Sequence, residues 1–151
     1  MRVARIKLNM DTKPFDRNQP LLTEEEVEER RHILLAGIEQ FNDGYFFEAH
    51  ETLEELWLPS PWPIRPFLQG IIQLAAGFVH LMRHEYPGTV RLLARAIEKI
   101  EAAPSGCMGV HVEQLAAGAR AAHNALVELG PDRFGEWDQR LIPKISIVTA
   151  S

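Results

Sequence analysis

The stretch Pro66-Phe67-Leu68-Gln69-Gly70-Ile71-Ile72-Gln73-Leu74-Ala75-Ala76-Gly77-Phe78-Val79-His80-Leu81-Met82 decides the fold. Its apolar residues do not form one stripe. Phe67, Leu68, Ile71, Ile72, Leu74, Ala75, Phe78, Val79, Leu81 and Met82 surround a helix almost completely, and a helix apolar nearly all round is a buried one. Gln73 and His80 interrupt the run, which is also too short to span a bilayer. Pro66 suits the first turn, where its missing N–H would have no partner anyway. This segment is therefore expected to be the central helix of a bundle.

Working upstream, the prolines of Pro59-Ser60-Pro61-Trp62-Pro63 forbid a helix and end the one before, expected from about Tyr45 to Trp57. A first helix opens at Thr23, which has capping-box spacing to Glu26, with Glu24 and Glu25 at the positive end of the dipole. Val27, Leu34, Ile38 and Phe41 recur at helical spacing until Asn42-Asp43-Gly44 stops them. Downstream, His84 to Gly88 reads as a turn. A fourth helix follows on Val90, Leu93, Ala96, Ile97 and Ile100, and a fifth from about Val110 to Leu129 on Val112, Leu115, Ala119, Ala122 and Leu126. Gly130-Pro131 ends it. The pattern predicts an all-α, antiparallel bundle of about five helices built from two stacked hairpins. The bundle occupies residues 23–130, between an irregular lead-in (1–22) and a tail (131–151) that packs on it through Phe134 and Trp137. Met1 to Leu8 alternate loosely, and Ile145, Ile147 and Val148 are strand-like, so a ribbon between the termini is one arrangement.

Composition narrows the function. The 151 residues fit one domain, with 46% hydrophobic and 25% charged residues. Lys and Arg number 16 against 21 Asp and Glu, for a net charge of −5. No nucleic-acid partner is expected, since counterion release needs a dense basic surface; Arg30-Arg31 follows a run of glutamates and reads as a solvated flank. Cys107 is the single cysteine and cannot close an internal disulfide. Neither a signal peptide nor a membrane span is expected, and the cytoplasm is the expected location.

The chemistry concentrates on the second helix. Phe46, Ala49, Leu53 and Leu56 form its core stripe. Beside it, at the same spacing, run Phe47, His50, Glu54 and Trp57. An imidazole and a carboxylate one turn apart, bracketed by aromatics at a partly buried border, need partners, because an unpaired buried polar group costs on the order of 1–3 kcal/mol. The third helix offers Gln69, Gln73 and His80 on one face, with His80 expected nearer His50; Arg65 can pair with Glu51, Glu54 or Glu55.

These residues carry a resemblance. Asn42-Asp43-Gly44-Tyr45-Phe46-Phe47-Glu48-Ala49-His50-Glu51-Thr52-Leu53-Glu54-Glu55-Leu56-Trp57, followed by Arg65-Pro66-Phe67-Leu68-Gln69-Gly70-Ile71-Ile72-Gln73-Leu74-Ala75-Ala76 and His80, resembles the family catalogued as domain of unknown function 309 (DUF309). The likeness extends over roughly Leu34 to Leu129. It implies a compact helical bundle and carries no established activity. One departure is Arg83-His84-Glu85-Tyr86-Pro87-Gly88, where such proteins tend to have Gly-Asn, and a different turn geometry is expected there.

Three uses of the cluster compete. The first is a binding module for a small molecule or a protein, with Phe47, His50, Glu51, Glu54, Trp57, Arg65, Gln69, Gln73 and His80 as ligand-binding candidates. The second is a metal-dependent or acid–base, hydrolase-like enzyme using His50 and Glu54, with His80 as a further metal ligand. The third is a polar network that only fixes helix register. The residues designate no cofactor, no nucleophilic Ser or Cys sits in the motif, and an enzyme is the less favoured reading. A homo-oligomer contact through the Phe134–Trp137 tail or a terminal ribbon is a further candidate. His111 and His123 read as surface or packing histidines.

Overall fold

The computed structural model describes residues 24–57 and 64–148, the side chains of Glu24, Val27 and Trp57 excepted. Among them are five α-helices: α1 (Glu24–Asn42), α2 (Phe46–Trp57), α3 (Ile64–Met82), α4 (Tyr86–Glu101) and α5 (Val112–Leu129). Each packs on the next in chain order, α3 on α4 most extensively. The protein is all-α, with α1–α2 and α3–α4 as the two hairpins, stacked through α2 and α3. The lead-in, the Thr23 cap and the segment 58–63 lie outside the described residues.

The apolar character of α3 places it at the centre. Phe67, Leu68, Ile71, Leu74, Ala75 and Phe78 are essentially inaccessible to water, and each of them except the small Ala75 contributes about 1.5–3 kcal/mol of transfer free energy. The pattern loosens in the first turn, again at Gln73 and Ala76, and in the last turn, where Val79 is half-buried and Met82 exposed. Small residues set the helix spacing. A Cβ on Gly37 would fall 2.6 Å from Leu53 Cδ2, so α1 meets α2 closely there. On Gly70 it would fall 3.0 Å from Lys99 Cβ and 3.3 Å from the Ala96 carbonyl oxygen, where α3 meets α4.

One end of the bundle is built from rings. Phe41 meets Phe46 edge-on at 5.1 Å and Phe78 at 6.0 Å, while Phe46 and Phe78 lie 5.3 Å apart. Trp137 from the tail stacks on Phe78 at 6.4 Å, and its indole N–H donates to the Ala122 carbonyl at 3.3 Å. Phe134 packs against Tyr86 and His84.

The strand-like tail pairs with the α4–α5 connection: Val110 and Ile147 form an antiparallel bridge, and the His111 N–H donates to the Ser146 carbonyl at 2.9 Å. Met1 to Leu8, the other half of the expected ribbon, lie outside the described residues. Two other expectations change. Arg30 is not a solvated flank. Its Nη2 donates to the Leu56 carbonyl at 3.2 Å, at the negative end of α2, and burial pushes its pKa below the ordinary value. The 84–88 turn is shorter than expected because α4 already starts at Tyr86, with Pro87 in its first turn. His84 takes the left-handed conformation (φ 57) that side chains enter at a cost.

Two outcomes follow from this packing. Leu53 is fully buried and has nowhere to retreat, so Gly37→Ala is expected to lower stability by about 1 kcal/mol, helix propensity offsetting part of the overpacking. Gly135→Ala, where an added Cβ meets nothing within 4 Å, serves as the neutral control in urea denaturation. His123 on α5 is half-buried, and burial, aided by the Arg120 charge, holds its imidazole pKa below the histidine norm. The neutral form is therefore favoured on folding. Its contribution is complete above the unfolded pKa of about 6.5 and is lost as pH falls through the lower folded value. Denaturation midpoints measured from about pH 7 down to 5 should fall less steeply in His123→Gln than in the parent.

Candidate functional site

The α2 stripe forms much as its spacing implies. His50 Nε2 lies 3.2 Å from Glu54 Oε2, with side chains 26% and 19% exposed. The Phe47 ring stacks on the His50 imidazole at 6.3 Å and 25°. Successive turns thus hold a ring, an imidazole and a carboxylate in line, each orienting the next. Phe47 itself is 47% exposed, more than an aromatic on a partly buried border was expected to be.

The candidates from α3 differ in burial. Gln69 is buried, and Gln73 is half-buried with a side-chain oxygen that has no hydrogen-bond partner among the described residues. Arg65 and Glu51 are half-buried. Trp57 ends α2. His80 makes these contacts at the α4 side of α3: its Nδ1 is hydrogen-bonded to Glu85 and lies 2.8 Å from where a Gly88 Cβ would stand. Its backbone carbonyl also accepts from the Glu85 N–H at 3.0 Å. His80 therefore fastens the α3–α4 corner. Among the described residues no three His, Cys, Asp or Glu side chains are grouped to hold one metal ion, so His50, Glu54 and His80 form no common ligand set.

Two clefts open at the aromatic end. A cleft of about 250 Å³ runs between the start of α2 and the end of α3, lined by Gly44, Tyr45, Phe46, Phe47, Glu48, Val79, Met82 and Arg83. A second, of about 530 Å³, lies on the other side of the shared residues Gly44, Phe46 and Met82. Its remaining walls are Phe41, Asn42 and Asp43 from the α1–α2 turn and Gln139, Arg140, Ile142 and Lys144 from the tail. Phe47 is the one member of the sequence-derived cluster that lines either cleft. Tyr45 and Met82 were legible as apolar residues but not as exposed ones.

The tail wall is fastened. The Asn42 side chain donates from Nδ2 to the Ile145 carbonyl at 2.9 Å and accepts the Ile145 N–H on Oδ1 at 2.7 Å. Lys144 Nζ donates to the Asn42 backbone carbonyl at 2.6 Å. One amide side chain thereby does the work of a strand partner for residue 145.

With this geometry established, comparison with known proteins defines the class. Residues 34–92 match the family model described as Domain of unknown function (DUF309). The match runs from within α1 through α2 and α3 into α4, a shorter span than the likeness first suggests, and over it the chain is similar to this family. The uncharacterized protein YpuF of Bacillus subtilis (strain 168) is 40% identical over 108 residues, or 70% of this chain and 51% of YpuF. The chain thus spans about half the length of this curated relative.

Asn42→Ala removes both bonds to a partly buried peptide group and is expected to cost about 2 kcal/mol. Urea denaturation measures the loss, and faster amide exchange at Ile145 than at Leu126 shows that the tail is the part released.

Proposed function

We propose that this protein is a cytoplasmic binding module whose docking surface is the apolar shelf formed by Tyr45, Phe47 and Met82. The observation that carries the reading is the exposure of these three side chains, 60%, 47% and 42%, around a single cleft. Aromatic residues and methionine are the side chains enriched where protein interfaces are anchored. The cleft, at about 250 Å³, falls below the roughly 300–1,000 Å³ of small-molecule sites. It suits one apolar side chain of a protein partner, with the shelf covering the rest of an amphipathic segment. Glu48 and Arg83 supply charged groups at its edge.

In this reading the His50–Glu54 pair is neither a general base nor a metal ligand. It holds the imidazole on which Phe47 stacks, and so keeps that ring turned toward the shelf. Of the uses open to the motif, binding thus absorbs the register-fixing role as well. The cytoplasmic assignment rests on the buried thiol of Cys107, which burial also makes less acidic, and is in keeping with a reducing compartment. No helix among the described residues is long and apolar enough to cross a membrane.

Selection of amphipathic peptides on the full chain, with the Phe47→Ser variant as counter-target, tests the proposal. Selected peptides should lose about tenfold or more in affinity on Phe47→Ser or Tyr45→Ser, as interface aromatics do. Leu35→Ser, which alters an exposed apolar residue on α1, should leave affinity unchanged. Peptides that bind all three variants as well as the parent would rule the shelf out.

A further inference from the structure

We infer that the 530 Å³ cleft between the α1–α2 turn and the tail is a site for a small amphipathic monocarboxylate, sharing Met82 with the shelf but neither Tyr45 nor Phe47. Its size lies within the range of small-molecule sites, which pair an apolar lining with a few placed polar groups. The apolar part is Phe46, Ile142 and the mobile-ended thioether of Met82, a side chain that adapts to varied shapes. The cleft is also preformed, because the two Asn42–Ile145 hydrogen bonds fix the tail against the turn. A ligand entering it therefore bears little of the ordering cost that a loose wall would impose.

Charge selects the ligand's head group. Arg140 is 92% exposed and already held by Asp138 through two contacts of 3.0 and 3.1 Å, so it offers little. Lys144 differs. Its ammonium gives one hydrogen to the Asn42 carbonyl at 2.6 Å, and an ammonium has two more donors. That bond brings the cation to the turn residue that precedes Asp43, at the edge of the apolar lining. A carboxylate whose hydrocarbon body covers Met82 and Ile142 meets those donors. Asp43, which also lines the cleft, repels a second carboxylate. The site thereby discriminates monocarboxylates from dicarboxylates by like-charge repulsion as well as by lost apolar contact.

Titration of the full chain with hexanoate, octanoate and the dicarboxylate suberate, with hexanol and hexylamine as matched controls, tests this by calorimetry and amide chemical shifts. Octanoate should bind more tightly than hexanoate, move the Gly44, Phe46 and Lys144 amides, and outcompete the alcohol, the amine and suberate. Lys144→Gln should weaken octanoate about fivefold, the scale of one exposed charge, with Lys144→Arg restoring most of it. Ile142→Trp, which fills the cleft, should abolish binding, and Arg140→Gln should change little. Equal affinity for alcohol and acid, shifts confined to other residues, or no binding at millimolar ligand would each overturn the inference. Because Tyr45 and Phe47 do not line this cleft, Phe47→Ser should leave octanoate affinity intact.

Discussion

Phe78 is the ring on which the rest of the structure converges. It is fully buried and meets Phe41 at the end of α1, Phe46 at the start of α2, and Trp137 in the tail. Aromatic pairs at these separations add about 0.5–1.5 kcal/mol each beyond the area they bury. More telling is the geometry they impose. For Phe41 and Phe46 to reach the same ring, the chain between them must reverse within Asn42 to Tyr45, and Gly44 at φ 88 makes that reversal. For Trp137 to reach it, the chain after α5 must return across the bundle. The clefts exist because this packing brings a tight turn, a helix end and a returning tail to one place.

Much of the helical frame was legible in the sequence, because period and chain punctuation are local. The all-round apolarity of Phe67 to Leu81, the glycine and proline stops, and the core stripe Phe46, Ala49, Leu53 and Leu56 all depend on residues a few positions apart. Helix faces were read less well. Gln73 and His80 share a face at an offset of seven, but spacing does not say which neighbour that face meets, and His80 turned to Glu85 and Gly88 on the α4 side. Arg30 looked like a surface charge because nothing in its neighbourhood shows that the end of α2 comes within reach. The cleft was missed for the same reason. Its walls come from residues 41–46, 82 and 139–144, and no local pattern joins such distant segments.

The DUF309 match covers residues 34–92, and that boundary separates the two surfaces. Every residue lining the smaller cleft falls inside it, so the exposed shelf is built by the matched segment alone. The larger cleft takes Gln139, Arg140, Ile142 and Lys144 from beyond it. The His50–Glu54 pair sits inside the match as well, one turn from the shelf. The Phe47 ring, the imidazole and the carboxylate fall on consecutive turns of one helix.

The clamp on Ile145 has a temporal side. Asn42 and Ile145 are separated by 103 positions, and contacts so distant carry a loop-closure penalty that the local helix contacts do not. The hairpins can therefore assemble while residue 145 is still far from its place. Until it arrives, and Trp137 with it, the rings of Phe41, Phe46 and Phe78 lack their outer cover. By this cost the tail closes later than the hairpins, and its arrival is what ends the exposure of the aromatic end to association with other molecules.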